Sequence, residues 1–460
     1  MTTESAGRRA AQPGAGGYVR RIVLALAVAA VVGAVAWSVL HRPAEWTTAN
    51  PQALAELQLG VEALEKVYLA DARRRFEKVL DLDPGCVAAR IFLIEVLDGP
   101  ENRAKRNEIL EQLRTTDLGP LTARERFMVR YLLALVDNHR DEADAMLDAF
   151  VASYPKDPFA LRLRANRSFS LGRLDEAQRE YERLLEVAPN YVVAYNQLGY
   201  TAMARGQFAE AERMLRKYRF IAPDQANPHD SLGELLLLLG RYPEAEQEFN
   251  QALQVRSDFC ASYFGLALLG AVSGRLELAD AALERAATVP ACAGPDRQRA
   301  LLMVARFRAA VNRDWQRLVE LASEDPSPEV GSCSRVLTHR AYLTLGRTAD
   351  AVAVEEELAR QLAERAKGGS GEPSPCALHM AGVRLLFANR PAEAATSFRE
   401  ADGAVTYRGA YPGTFKLFNL VQLADALRRA GETTQAEEVS ERVRSINPSF
   451  ARELLDALGL

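Results

Sequence analysis

Two patterns of apolar positions divide this chain. From Ile22 to Leu40 no residue is charged over 19 positions. As a helix rising 1.5 Å per residue, that run is about 28 Å long, close to the roughly 30 Å of bilayer hydrocarbon. Beyond residue 50 the pattern changes. Apolar residues recur three and four apart in stretches of about 14 residues, broken alternately by glycine and by proline, which predicts amphipathic helices joined in pairs. A strand would need alternation with a period of two, which does not recur along these stretches.

The pairs repeat at a fixed step. Gly172, Gly206, Gly240 and Gly274 are each 34 residues apart, and Ala177, Ala211, Ala245 and Ala279 keep the same interval. Pro189 and Pro223 close two units in register. The alanine belongs where two helices cross closely and a larger side chain would push them apart. A single helical hairpin of this kind cannot bury its apolar face alone, so neighbours must stack into a solenoid.

These units resemble the tetratricopeptide repeat family. Tyr195, Leu198, Gly199, Ala211, Leu215 and Pro223 carry its pattern in 192–225, and Leu232, Gly233, Ala245, Phe249 and Ala252 carry it in 226–259. The pattern returns in 260–293 and, through its second helix, in 158–191. Units at 53–86, 375–408 and 417–450 match as well, with Phe450 to Leu458 as a capping helix. Residues 87–123 and 294–326 read as helix pairs with the pattern eroded. The unit 332–365 has Glu355 where an apolar residue should pack. The fold expected is all-α, a tetratricopeptide-type hairpin solenoid preceded by one transmembrane helix. Its parts are a basic tail 1–21, an anchor 22–40, a juxtamembrane linker 41–52, repeats 53–367, a Gly-rich flexible loop 368–376 and C-terminal repeats with a cap 377–460.

Arg8, Arg9, Arg20 and Arg21 precede the apolar run, and Arg42 is the only cation from 41 to 65. By the positive-inside rule the amino terminus is expected in the cytoplasm and the repeats in the periplasm or outside the cell, tethered to an inner or plasma membrane of bacterial type. A cleaved signal ending at Ala34-Val35-Ala36 is the alternative. The 460 residues contain 57 basic and 61 acidic side chains, a net charge of -4, which leaves no global field for a nucleic acid partner. Hydrophobic residues at 48% are enough for a core, and aromatics at only 7% suit close helix crossings.

Candidate chemistry is sparse. No P-loop, H-E-x-x-H motif or nucleophile elbow occurs, so no catalytic residue, metal or cofactor is expected. Cys376-x-x-His379 and Cys333-x5-His339 have spacings unlike those of structural zinc sites. His139 and His229 read as surface or groove residues. The five cysteines (Cys86, Cys260, Cys292, Cys333 and Cys376) fall in repeat register along one edge of the solenoid. Starts of adjacent first helices are expected about 10 Å apart, too far for bridging, so free thiols in apolar slots are the expectation. A Cys292–Cys333 bridge across the irregular unit is the alternative.

In the family, residues 2, 5, 9 and 12 of each first helix line the concave surface and hold peptides. The resemblance places Arg162, Asn166, Phe169, Asn196, Tyr200, Asp230, Glu234 and Phe264 there, with one or more proteins or peptides as partners and the lipid bilayer contacted through 22–40. Arg162 and Asn166 match half of the family's carboxylate clamp for chaperone tails. Asn227 and Ser231 stand where its other cations should be, which argues against that use. The function implied is a non-enzymatic, membrane-anchored interaction scaffold, in envelope or secretion assembly. The alternative is an extracytoplasmic sensor or accessory module of a signalling or transcription-regulatory system.

Overall fold

The structure is a computed structural model describing residues 45–97, 102–324, 333, 335–366 and 374–460, the side chains of 364–366 excepted. The described residues form α-helices and one short 3-10 turn, with no strand. The helices pair into eleven hairpins. The first four are α1 (Pro51–Glu65) with α2 (Leu69–Leu82), α3 (Val87–Val96) with α4 (Arg103–Arg114), α5 (Ala123–Val136) with α6 (Arg140–Ser153), and α7 (Pro158–Ser170) with α8 (Leu174–Val187). The middle four are α9 (Val193–Ala204) with α10 (Phe208–Ile221), α11 (Ala226–Leu238) with α12 (Tyr242–Val255), α13 (Cys260–Val272) with α14 (Leu276–Ala287), and α15 (Pro295–Val311) with α16 (Trp315–Ser323). The last three are α17 (Val336–Thr344) with α18 (Thr348–Ala366), α19 (Pro375–Phe387) with α20 (Pro391–Ala404), and α21 (Ala410–Arg429) with α22 (Thr433–Ile446), followed by α23 (Arg452–Leu458).

Local chemistry sets these boundaries. Thr122 and Glu125 form a reciprocal capping box at the start of α5. Asp157 caps α7 by accepting from the Ala160 N–H at 3.0 Å, with Pro158 at the first helical position. Each glycine of the 34-residue series ends a first helix at positive φ, as at Gly240 (φ 72°). The Arg241 N–H then reaches back to the Leu236 carbonyl at 2.9 Å, the wrap of a Schellman turn. Ala177, Ala211, Ala245 and Ala279 are all fully buried at hairpin crossings, as their spacing predicts.

Two features depart from the sequence reading. Glu355 does not break its unit, because it bonds His339 Nε2 at 2.8 Å and Arg384 Nε at 3.0 Å in place of apolar packing. His229, read as a surface or groove residue, is buried with its Nδ1 2.7 Å from Glu248 Oε2, whereas His139 is exposed. No helix among the described residues is long and apolar enough to cross a membrane. The expected tail 1–21 and anchor 22–40 lie outside those residues, as does the expected loop up to residue 373. Residues 45–50, within the expected linker, are docked. Trp46 is buried edge-on to Phe92, and the Thr47 N–H donates to Glu125.

Helices pack chiefly on their sequence neighbours, with two long-range exceptions: α21 packs on α11, and α23 packs on α15. The superhelix therefore returns on itself. At the amino end, the Ala226 N–H donates to Tyr68 Oη at 3.2 Å, and Arg256 stacks on the Tyr68 ring while pairing with Asp71. At the carboxyl end the glycine turns are met in order. Arg408 lies beside Gly172, Tyr407 beside Gly206, Asn447 against Gly240 and Glu453 against Gly274. At Gly240 any side chain would be forced into Asn447, which donates to the Leu238 carbonyl at 3.2 Å.

Candidate functional site

The helical period places the predicted concave residues on one face, and that face falls into two halves. In the amino-terminal half, Arg162 is half-buried and lies over the Phe159 ring, 5.3 Å from its centroid. Asn166 Oδ1 accepts from the Tyr181 hydroxyl at 2.6 Å. Asn196 is buried, and its Oδ1 has no hydrogen-bond partner among the described residues. Leu132 and Leu135 of α5 stand at the equivalent places one hairpin earlier and remain partly exposed.

The other half is not open, as the sequence led one to expect. Residues 405–411, between α20 and the start of α21, lie along it. Arg408 stacks on the Phe169 ring at 4.7 Å and donates from Nη2 to the Phe169 carbonyl at 2.6 Å. Tyr407 is buried edge-on to Phe208. Gly409 lies beside the Glu234 carboxylate. Residues 405–408 run without helix or turn, so this half of the face already holds an extended piece of polypeptide. No sequence signal marked it, because it runs from the last residues of the unit 375–408 into the stretch before 417–450, where the repeat pattern sets no register.

Beneath that strap the structure gathers three predicted residues. The Tyr200 hydroxyl donates to Glu234 Oε2 at 2.5 Å, and Asp230 accepts from the Ser262 hydroxyl at 2.6 Å. Burial pushes the Asp230 carboxyl up to about 7, with the Glu234 charge adding to it, and burial raises Glu234 in the same direction. Because the folded values exceed the unfolded ones, the folded state holds an extra proton between about pH 4 and pH 7, and stability is lost as pH rises through that window. Glu234→Gln keeps an acceptor for Tyr200 and removes the charge. By thermal unfolding it is expected to stabilise the protein more at pH 8 than at pH 5. A stability difference that is the same at both pH values would contradict this.

Phe264, the eighth predicted residue, forms part of the wall of a cavity of about 590 Å³ between α13, α15, α17 and α21. Glu234 also reaches this cavity. The cysteine reading is corrected: Cys260 bonds Cys292 and Cys333 bonds Cys376, while Cys86 is free and buried. The 10 Å estimate fails because Cys292 lies in the 3-10 turn Pro290–Cys292, which brings its Cα to 5.3 Å from that of Cys260. Cys333 is likewise a loop residue ahead of α17, with positive φ, and not a helix start. His379, beside Cys376 in sequence, is enclosed by Phe398, Phe415 and Phe418, and burial lowers its pKa to about 3. It is a neutral core imidazole bonded to Asn419.

Residues 168–235 match the tetratricopeptide repeat family, a span of two 34-residue steps. No curated protein matches the chain. Among solved structures, a tetratricopeptide repeat protein from Parabacteroides merdae is similar at 15% identity, covering 54% of this chain and 92% of its own, with a TM-score of 0.39. The type IV pilus biogenesis factor PilW is similar at 19% identity, covering 43% of this chain and 92% of its own, with a TM-score of 0.37. Pseudomonas aeruginosa pilF aligns at 16% identity over 54% of this chain and 95% of its own, with a TM-score of 0.29. At these scores they are likenesses of helical-hairpin packing only. The family match thus covers the length of two of the eleven helical hairpins found among the described residues, and the hairpins on either side of it continue the same helix-turn-helix plan.

Proposed function

We propose that this chain is a non-enzymatic scaffold, anchored in the inner membrane through residues 22–40 with its repeats outside the cytoplasm, that holds an extended segment of a protein partner during envelope or secretion assembly. The observation that carries this reading is the strap. Residues 405–408 are held on the concave face by their own side chains, Arg408 stacked on Phe169 and bonded to its carbonyl and Tyr407 buried against Phe208, so the face can hold an extended segment that carries such side chains. In the other half Leu135 is exposed and Arg162 and Asn166 are partly exposed. The two disulfides support the extracytoplasmic placement, since such bonds persist in oxidising compartments.

The test is site-specific photocrosslinking of the full chain in native membranes. A crosslinker at Asn166 or Leu135 is expected to give a discrete protein adduct, and one at exposed Glu441 on α22 is expected to give none. Equal labelling at all three positions, or no adduct at Asn166 and Leu135, would sink the reading. A periplasm-only reporter fused after Leu460 is expected to be active, and a silent reporter on a well-expressed fusion would overturn the topology.

A further inference from the structure

The cavity beside the strap has a charge pattern that the scaffold reading does not use. Its volume of about 590 Å³ is far more than a few waters require and sits within the range of small-molecule sites, roughly 300–1,000 Å³. Phe264, Phe307, Tyr411, Phe415 and Phe418 form much of its wall, and aromatic faces hold ordered water poorly. Three separate stretches of chain contribute these rings, so the cavity exists only because the superhelix closes. Glu234 stands at its edge.

The polar groups decide what kind of molecule complements this space. Glu234 accepts from Tyr200, and Asp230, one helical turn earlier, accepts from Ser262. Both donors are neutral. Among the described residues no cation pairs with either carboxylate, whereas Glu248 pairs with Arg219 and Glu355 with Arg384. The basic residues that line the cavity are engaged elsewhere, Arg299 with Asp296 and Arg306 with the Leu321 carbonyl. A buried carboxylate without a counter-charge is costly, and a cation brought to it recovers that cost in a low-dielectric setting. Phe264 and Tyr411, in the same wall, offer ring faces that attract a cation as well. At the Glu234 end of the cavity a carboxylate or phosphate would meet like charge, while Arg299 and Arg306 lie elsewhere in the wall.

We propose that this cavity is a binding site for an organic ammonium compound with an apolar or aromatic body, the ammonium placed against Glu234 and the body among Phe264, Phe307, Tyr411 and Phe415. The site lies under the strap, so a bound amine would also contact the segment that fills half of the concave face. This goes beyond the scaffold reading, and each can fail without the other.

The test is calorimetric titration of the full chain in detergent micelles at pH 8, against a micelle blank, with phenylbutylammonium, its neutral analogue phenylbutanol and its anionic analogue phenylbutanoate. Phenylbutylammonium is expected to bind once per chain and at least about tenfold more tightly than phenylbutanoate. Glu234→Gln is expected to weaken the amine by about tenfold or more and to leave phenylbutanol unchanged. Ala261→Phe, at an exposed position of the cavity wall, is expected to abolish binding of the amine and phenylbutanol by filling the space. The proposal is overturned if the anion binds as tightly as the amine or if no probe binds. It also fails if the amine is indifferent to Glu234→Gln or to Ala261→Phe.

Discussion

Phe249→Ala is expected to lower the free energy of unfolding by about 3–5 kcal/mol, read by chemical denaturation. The ring is fully buried between α11 and α13. A Cβ at Gly233 would sit 2.8 Å from it, and one at Gly265 would sit 2.5 Å from it. Both flanking positions are bare backbone, so no side chain can swing in to fill the hole, and the cost falls at the upper end for a core truncation. The reverse change tests the same contact: Gly265→Ala should destabilise by driving a methyl into the ring. Glu244→Ala, which removes an exposed partner of Arg241 and Arg216, should stay within about 0.5 kcal/mol. A Phe249→Ala effect as small as that of Glu244→Ala would mean that α11, α12 and α13 do not pack around this ring.

The second large effect comes from the disulfides. Cys260–Cys292 closes 32 residues and Cys333–Cys376 closes 43. On the chain-entropy model each bridge removes about 4 kcal/mol of freedom from the unfolded chain. Replacing both members of either pair with serine is therefore expected to cost about 2–5 kcal/mol, and replacing all four should cost nearly the sum, since the bridges close separate loops. The oxidation state has its own readout. Protein taken from cells and denatured without reductant should present one alkylatable thiol, Cys86. Five alkylatable thiols would remove both the bridges and the support they give to an extracytoplasmic location.

Much of this architecture was legible in the sequence because a repeat pattern encodes contacts between neighbours. Ala211 and Gly233 are small for reasons that lie within one or two hairpins, and the 34-residue step displays those reasons directly. Contacts between distant hairpins are not written that way. They depend on how small rotations accumulate along the superhelix. Thus the repeat step assigns Tyr200, Glu234 and Phe264 equivalent positions on their helices, but it carries no sign that residues 405–415 reach them from a distant hairpin. The glycines illustrate both levels. Gly240 was legible as a turn, but the Asn447 seated against it was not. The cysteines were misjudged for a local reason, because regular helix spacing was assumed where a 3-10 turn and a left-handed residue bring the backbones closer.

The return of the chain onto its own concave face underlies both the proposed peptide grip and the cavity, and hydroxyl-radical footprinting of the full chain tests it directly. Tyr407 is 4% exposed because the strap lies on the hairpins, whereas Tyr154, at the end of α6, is 44% exposed. Two tyrosines of equal intrinsic reactivity thus serve as probe and control. The account predicts that Tyr154 is oxidised readily while Tyr407 is protected, and that Tyr407 gains reactivity when Arg408→Ala removes the bond to Phe169. Oxidation of Tyr407 at the rate of Tyr154 in the unaltered protein would contradict it.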